Sequence, residues 1–465
     1  MFGKLIYALS GLSMALTSTW QGSTCLLSAE PSLRERVDQQ VKPYLDERVI
    51  VGMTIGVYHE GHPHVFGYGV TSTAVGTVPD GKTVYEIGSV SKVFTGVLLA
   101  DAVNRQAIQL DQPVQELLPE NVTMPSKGDQ PVRVKHLATH TSGLPRLPNN
   151  MKPADAENPY ADYSEKNLFD FLSQHTLERE PGRSSEYSNY AAGLLGQLLA
   201  NRGKATYHEL LQQRIAHPLM MNDTAVELSE EQKMRLAPPH DGAGNAAGNW
   251  DFRALVGAGG IRSTVDDMLK FAEACIHPPA NEVGKAIELA WNIHQPPLQK
   301  EDFAMGLGWH IARDGSTRWH NGQTGGYHSM ILVNRSLKSA VVVLANTASM
   351  EVDRLAEDLI RMITGAAVPP RKFEHVAKVS PEVMQRYVGR YQLAPQFVLT
   401  VSITEDKLMV GATGQATFQV FPRSDTQWFY KVVEATLTFK LDSEGKCHEL
   451  DLFQNGVHQT AKKVP

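Results

Sequence analysis

The chain of 465 residues carries only three cysteines, Cys25, Cys275 and Cys447, and none of them stands in a paired spacing of the kind that ligates metal. Cys275 and Cys447 lie far apart in segments of different character and are expected to be unpaired thiols. There is no dense run of lysine or arginine, and the net charge is -6, so the clustered cations that hold phosphate are missing and nucleic acid is excluded as a partner. A Gly-x-Ser-x-Gly elbow is absent as well, which argues against an α/β-hydrolase. Long apolar runs are also lacking. The uncharged stretch Leu5 to Leu16 is too short for a membrane span. It follows Lys4, no acidic residue precedes Glu30, and the small residues Ser23, Ser28 and Ala29 follow it. This reads as a signal peptide over residues 1–29, cut near Ala29, and predicts a periplasmic or secreted protein with no stable membrane span after processing. Gly22-Ser-Thr-Cys25 is a poor match to a lipid-attachment sequence, so a lipoprotein is not expected.

What is present begins with Glu86-Ile-Gly-Ser-Val-Ser-Lys-Val-Phe-Thr-Gly96, where Ser89 and Lys92 stand three apart at the opening of an apolar segment. Residues at this spacing share a helix face, so a hydroxyl and an amine can meet there. A serine hydroxyl is a weak nucleophile until a neighbouring base takes its proton. Burial, which favours the neutral form of lysine, makes such a base. The free N–H groups at a helix start would also favour an oxyanion formed at an attacked carbonyl. Val90, Val93, Phe94, Val97 and Leu98 cover most of this helix, which predicts that it is buried, Lys92 with it.

Ser-x-x-Lys by itself occurs by chance. Two further segments change its meaning: Pro181-Gly-Arg-Ser-Ser-Glu-Tyr-Ser-Asn-Tyr190, containing Tyr187-Ser-Asn189, and Trp319-His-Asn-Gly-Gln-Thr-Gly-Gly-Tyr327, containing His320-Asn-Gly322. In this order the three segments resemble the serine β-lactamase and penicillin-binding superfamily, in its class C-like branch. The motifs of that branch are Ser-x-x-Lys, Tyr-x-Asn and Lys/His-x-Gly, whereas class A carries Ser-Asp-Asn at the second. Leu110-Asp-Gln-Pro-Val, Leu137-Ala-Thr-His-Thr-Ser-Gly-Leu-Pro145, Pro218-Leu-Met-Met-Asn-Asp-Thr224 and Gly259-Gly-Ile-Arg-Ser-Thr-Val-Asp-Asp-Met268 look like the family's structural landmarks. The resemblance covers residues from about 35 to 365.

Periodicity supplies the architecture. Leu33, Val37, Val41 and Leu45 mark an amphipathic helix. Ile50 to Tyr58 and Val65 to Gly69 read as a hairpin, with His59, His62 and His64 decorating its turn rather than binding metal. Residues 101 to about 300 are helical pieces between Pro/Gly-rich loops. One of these loops, Pro145 to Tyr163, leads to a helix capped by Ser164, and the sequence leaves two readings of it equally open, a border of the active site or a plain surface excursion. Strands return after Gly306 and close on a helix around Glu351 to Met362. Strands at both ends of a helical stretch imply one sheet fed from both ends. The fold class is therefore α+β: an antiparallel sheet flanked by helices with an inserted all-α subdomain, plus a small C-terminal all-β barrel. The expected divisions are a hydrolase domain over 30–366, a linker over 367–380, and over 381–465 a barrel that resembles the lipocalin-like appendages of some relatives.

The resemblance implies an exported serine hydrolase working through an acyl-enzyme on D-amino-acid peptides or β-lactams. A carboxylesterase with the same machinery, or an inactive penicillin- or peptidoglycan-binding protein, is the alternative. It implies no cofactor and no metal. Ser89 would be the nucleophile, Lys92 its base and Tyr187 a second proton-transfer group, used as a phenolate favoured by neighbouring cations. Asn189 would bind Lys92 and the acyl amide. The oxyanion would lie between the N–H groups of Ser89 and Gln323, beside Gly322. His320 stands where classical β-lactamases of this branch carry lysine, and would supply half of a cationic clamp for a substrate carboxylate. Asn321 replaces the usual threonine, and Thr324 would make up part of the lost contact.

Overall fold

The computed structural model describes residues 31–465 apart from 75, 301, 374–375, 414–416, 431–432, 434 and 455. The expected signal peptide and Cys25 fall outside the described residues.

The chain opens with helix α1 (Leu33–Asp46), which starts at a Ser32 cap reciprocated by Glu35. Strands β1 (Gly52–His59) and β2 (His62–Gly69) form the expected hairpin, and β3 (Tyr85–Glu86) leads into a single 3-10 turn, Gly88–Val90. Helix α2 (Ser91–Asn104) follows at once, buried from Ser91 to Asp101. Ser89 therefore sits in the tight turn before the helix and Lys92 in the helix's first turn.

The helical layer comprises α3 (Val134–Ala138), α4 (Glu165–Gln174), α5 (Asn189–Gly203), α6 (Tyr207–Leu211), α7 (Glu230–Met234) and α8 (Val256–Gly259). After β4 (Arg262–Ser263) come α9 (Val265–Ile276) and α10 (Glu282–Trp291). Ser164 caps α4 as expected. The second motif supplies both the cap and the first residue of α5: the Ser188 hydroxyl accepts from the N–H of Ala191, and Asn189 opens the helix.

Strands β5 (Ala304–Met305), β6 (His310–Ile311), β7 (Thr317–Gln323), β8 (His328–Asn334) and β9 (Ser339–Ala345) then run to helix α11 (Glu351–Ile363). They join the first hairpin in one seven-stranded sheet of order β2-β1-β9-β8-β7-β6-β5, antiparallel throughout. Because neighbouring side chains on a strand point to opposite faces, the sheet separates two cores. Met330, Leu332, Val341 and Val343 pack with α1 and α11 on one face, while Ile331, Val342 and Leu344 join the larger core of α2, α5 and α9 on the other.

Beyond helix α12 (Pro381–Tyr387) the chain forms a closed eight-stranded barrel in simple up-and-down order. Its strands are β10 (Gly389–Ala394), β11 (Phe397–Thr404), β12 (Lys407–Ala412), β13 (Thr417–Pro422), β14 (Gln427–Tyr430), β15 (Ala435–Leu441), β16 (Cys447–Gln454) and β17 (Val457–Val464). The interior is filled rather than hollow. Tyr391, Trp428, Leu437 and Phe439 meet there, and Tyr387 of α12 stacks on Phe439 at 4.1 Å. Cys275 and Cys447 are both buried free thiols. Among the described residues no helix is long and apolar enough to cross a membrane.

Candidate active site

The three motifs converge where α2, α5 and β7 meet. The amine of Lys92, only 2% exposed, lies 3.0 Å from Ser89 Oγ, 2.8 Å from Asn189 Oδ1 and 2.7 Å from the Ala258 carbonyl. The two carbonyl oxygens can accept two N–H groups of an amine. The remaining direction faces Ser89. Burial, reinforced by the nearby Arg146 guanidinium, holds the Lys92 pKa well below its ordinary value, which favours the neutral amine, whose lone pair would then face Ser89.

Tyr187 is half-buried on the other side of the amine, with Lys92 Nζ 4.7 Å from its ring centre. Here the structure departs from the expected phenolate. Burial raises the Tyr187 pKa, and this outweighs the lowering by its hydrogen bond with Ser89 and by Arg146. The same burial disfavours the Lys92 ammonium that would draw the proton from the phenol.

Backbone contacts between the 3-10 turn and β7 build the oxyanion pocket. A Cβ on Gly88, whose φ is +48°, would fall 2.7 Å from the Gln323 nitrogen, and one on Gly322 would fall 2.8 Å from the Ser89 nitrogen and 2.1 Å from the Ile87 carbonyl oxygen. Both positions therefore require glycine. The N–H of Thr324 donates to the Tyr327 carbonyl, which makes the preceding pair, Gln323 and His328, a non-hydrogen-bonded one. The Gln323 N–H is thereby turned away from β8, towards Ser89.

His320 is fully buried on β7, and its Nδ1 lies 2.5 Å from the Asn321 carbonyl. Its Nε2 has no hydrogen-bond partner. Burial comes first, then His310, Lys92 and His140, and together they hold its pKa well below the usual value. The expectation of half a cationic clamp is therefore corrected: this histidine is neutral, because it is desolvated and faces other basic groups. Asn321 points to the opposite face, where its Nδ2 donates to Asp353 of α11 at 2.7 Å. Thr324 is 2% exposed and lies near the Glu86 carboxylate, whose pKa burial raises against the lowering by Arg262 and its polar neighbours, so its hydroxyl is buried away from a substrate. Asp353 also accepts from His328 Nε2 at 2.7 Å, and His328 Nδ1 meets the Gln323 side chain at 3.2 Å.

Sequence reasoning did not single out His140, His310 or Arg146. His140 packs on Tyr187 with ring centres 4.5 Å apart, and His310 lies 5.1 Å from His320 and 6.4 Å from Tyr187. Burial and neighbouring Lys92 bring the His310 pKa down to about 4. The signal for two of the three was in plain view. His140 lies inside the Leu137 to Pro145 landmark and Arg146 directly follows it. His59, His62 and His64 stay on the first hairpin.

The family model for Beta-lactamase matches residues 37–365. The chain belongs to the beta-lactamase family. A second match, over residues 374–462, is to a domain of unknown function, DUF3471, and covers the barrel. A beta-lactamase of Yersinia enterocolitica is 30% identical over 285 residues, 59% of this chain and 68% of that protein. The D-alanyl-D-alanine-carboxypeptidase/endopeptidase AmpH of Escherichia coli (strain K12) is 30% identical over 224 residues, 48% of this chain and 56% of that protein. Among solved structures, a beta-lactamase/D-alanine carboxypeptidase from Yersinia pestis complexed with citrate matches with a TM-score of 0.63 at 22% identity, covering 71% of this chain and 98% of that one. This beta-lactamase-family chain is accordingly a serine hydrolase with the fold of that family.

Proposed function

We propose that this beta-lactamase-family hydrolase is exported and cleaves D-amino-acid peptides of the peptidoglycan type through an acyl-enzyme on Ser89. The observation that carries the reading is the buried Lys92 amine, with two carbonyl acceptors and Ser89 Oγ around it at 2.7–3.0 Å. In the first step Lys92 takes the hydroxyl proton as Ser89 attacks the carbonyl carbon, and the N–H groups of Ser89 and Gln323 receive the oxyanion. Tyr187, a neutral phenol beside Ser89, donates a proton to the leaving amine. It recovers one from the water that later attacks the acyl group, and Lys92 returns its proton to Ser89 Oγ as the ester bond breaks. Asn189 holds Lys92 in place and Gly322 admits β7 to the turn. Export rests on the N-terminal sequence, and the substrate class rests on the AmpH-like relative. The division into hydrolase over 30–366, linker over 367–380 and barrel over 381–465 is part of the same proposal.

Carboxylesterase activity is a second reading, and the third-motif side of the site favours it. His320 is neutral there, and Phe303, 39% exposed, packs edge-on to Trp319 at 5.4 Å as an apolar wall. Intact-protein mass spectrometry after exposure to a labelled penicillin and, separately, to p-nitrophenyl butyrate decides between them. A persistent penicilloyl adduct on Ser89 supports the peptidase reading, and a transient one with hydrolysed product accumulating moves the substrate to β-lactams. Ester turnover with no penicillin adduct moves the assignment to the esterase. The Ser89→Ala variant should keep its fold and lose acylation, and turnover by that variant would remove Ser89 from the mechanism.

A further inference from the structure

The long loop from Pro145 begins at the active site itself. The Pro145 carbonyl accepts the Ser188 hydroxyl at 2.6 Å, and the Arg146 carbonyl accepts the N–H groups of Asn189 at 3.0 Å and Tyr190 at 3.2 Å. The backbone of Arg146 is thus tied to the first turn of α5, next to Asn189. Its side chain reaches back over the site, with the guanidinium carbon 5.1 Å from the centre of the Tyr187 ring. The residue is exposed, and among the described residues no carboxylate pairs with it. Leu147 beside it is 39% exposed. Unpaired arginine next to a reaction centre is uncommon economy, because its planar fork is suited to holding a carboxylate by two parallel hydrogen bonds. The opposite flank offers no such group. There the basic residue is His320, which is fully buried.

We infer that Arg146 is a specificity residue: its guanidinium, fixed over Tyr187, receives a carboxylate of the substrate, so that this hydrolase prefers acyl donors that carry a negative charge on the Tyr187 side of the site. The inference rests on the reading of Ser89 as nucleophile and narrows its substrate class. The cation serves substrate selection directly. Its proximity to Tyr187 and Lys92 also affects every substrate alike, and this second effect is what the experiment must separate.

The test uses the full chain and a matched pair of p-nitrophenyl esters, mono-p-nitrophenyl glutarate and its methyl ester, with Ser89→Ala as the background for spontaneous hydrolysis. The ratio of kcat/KM for the anionic ester to that for the neutral one should fall at least tenfold in Arg146→Ala, mainly through KM. Arg146→Lys should restore part of the ratio, and Arg146→Glu should lower it further. Equal losses on both esters, or no change in the ratio, would overturn the inference and leave Arg146 as a group that acts only through Tyr187 and Lys92. Labelling rates with a carboxylate-bearing fluorophosphonate and its methyl ester, read by mass at Ser89, give the same ratio without turnover. If the wild-type chain is not labelled by either probe, the Ser89 reading fails and the inference falls with it.

Discussion

Lys92 shows how one side chain is prepared for chemistry by what surrounds it rather than by what it is. Two carbonyls, a helix interior and a nearby arginine leave its amine with one useful direction, and that direction is Ser89. Gly322 matters for the opposite reason, since it supplies nothing but room. Gly322→Ala should push β7 off the Ser89 turn and lower kcat by roughly a hundredfold, the order of loss seen when an oxyanion donor is removed. Steady-state rates on purified variant whose melting temperature is near the wild-type value would check this. The histidines predict a pH effect. The His310 pKa is lowered from 6.5 to about 4, so between those values the unfolded chain binds the proton that the folded chain refuses. Its stabilising contribution is complete above pH 6.5 and is lost as pH falls towards 4, at most about 3 kcal/mol for this one group. Denaturant midpoints measured across that window should drop with acid, and His310→Gln should flatten the slope.

At the scale of elements, helix α2 is the beam on which the site rests. It is buried along its first eleven residues, Ser91 to Asp101, and Phe94 stacks on Phe271 of α9 at 4.5 Å. Gly96 lets it lie directly on the chain before β6: a Cβ there would fall 2.0 Å from the Leu307 carbonyl oxygen. Gly96→Ala should therefore cost roughly 1–3 kcal/mol, read as a lower urea midpoint with an unchanged slope. This helix was legible in the sequence because its apolar residues run all round it, and so were α1, the first hairpin and the alternating strands of the barrel. Strand β7 was not. Thr-Arg-Trp-His-Asn-Gly-Gln has no apolar alternation, since its residues face a reaction centre on one side and Asp353 on the other. Strand β5, two residues long, is too short to show a period, and β10 and β17 are largely polar. The site divides the same way. Ser89, Lys92, Tyr187 and Asn189 announced themselves because each motif is local, whereas the neutrality of His320 depends on its burial and on His310, Lys92 and His140 around it, which come together only through the fold.

The described residues form three cores. Two share the central sheet and the third fills the barrel. Between them the linker is not loose: Gln40 Nε2 donates to the Val368 carbonyl at 2.7 Å, Arg371 pairs with Glu351 at 3.0 and 3.1 Å, and Phe373 meets Tyr44 edge-on at 4.9 Å. Each contact belongs to α1 or α11, on the far face of the sheet from Ser89. The barrel core should consequently melt as a separate calorimetric transition. Trp428→Ala should lower that transition by roughly 3–5 kcal/mol while leaving the rate of Ser89 acylation as it was. A loss of acylation in that variant would show that the barrel supports the catalytic core.

The place of β1 in the sheet has a consequence in time. It lies between β2, its immediate successor in the chain, and β9, where Met53 meets Ala345 and Tyr58 meets Ala340. Until the last strand of the sheet has been synthesised, one edge of the first hairpin has no neighbour, and it is an apolar edge. A contact across so much chain is slow to form, because loop closure must be completed before the pairing rewards it. The protein therefore cannot assemble its central sheet as it emerges from the ribosome. It must wait, unfinished, for nearly the whole hydrolase sequence, and during that interval the first hairpin is its most exposed point for mispairing with another chain.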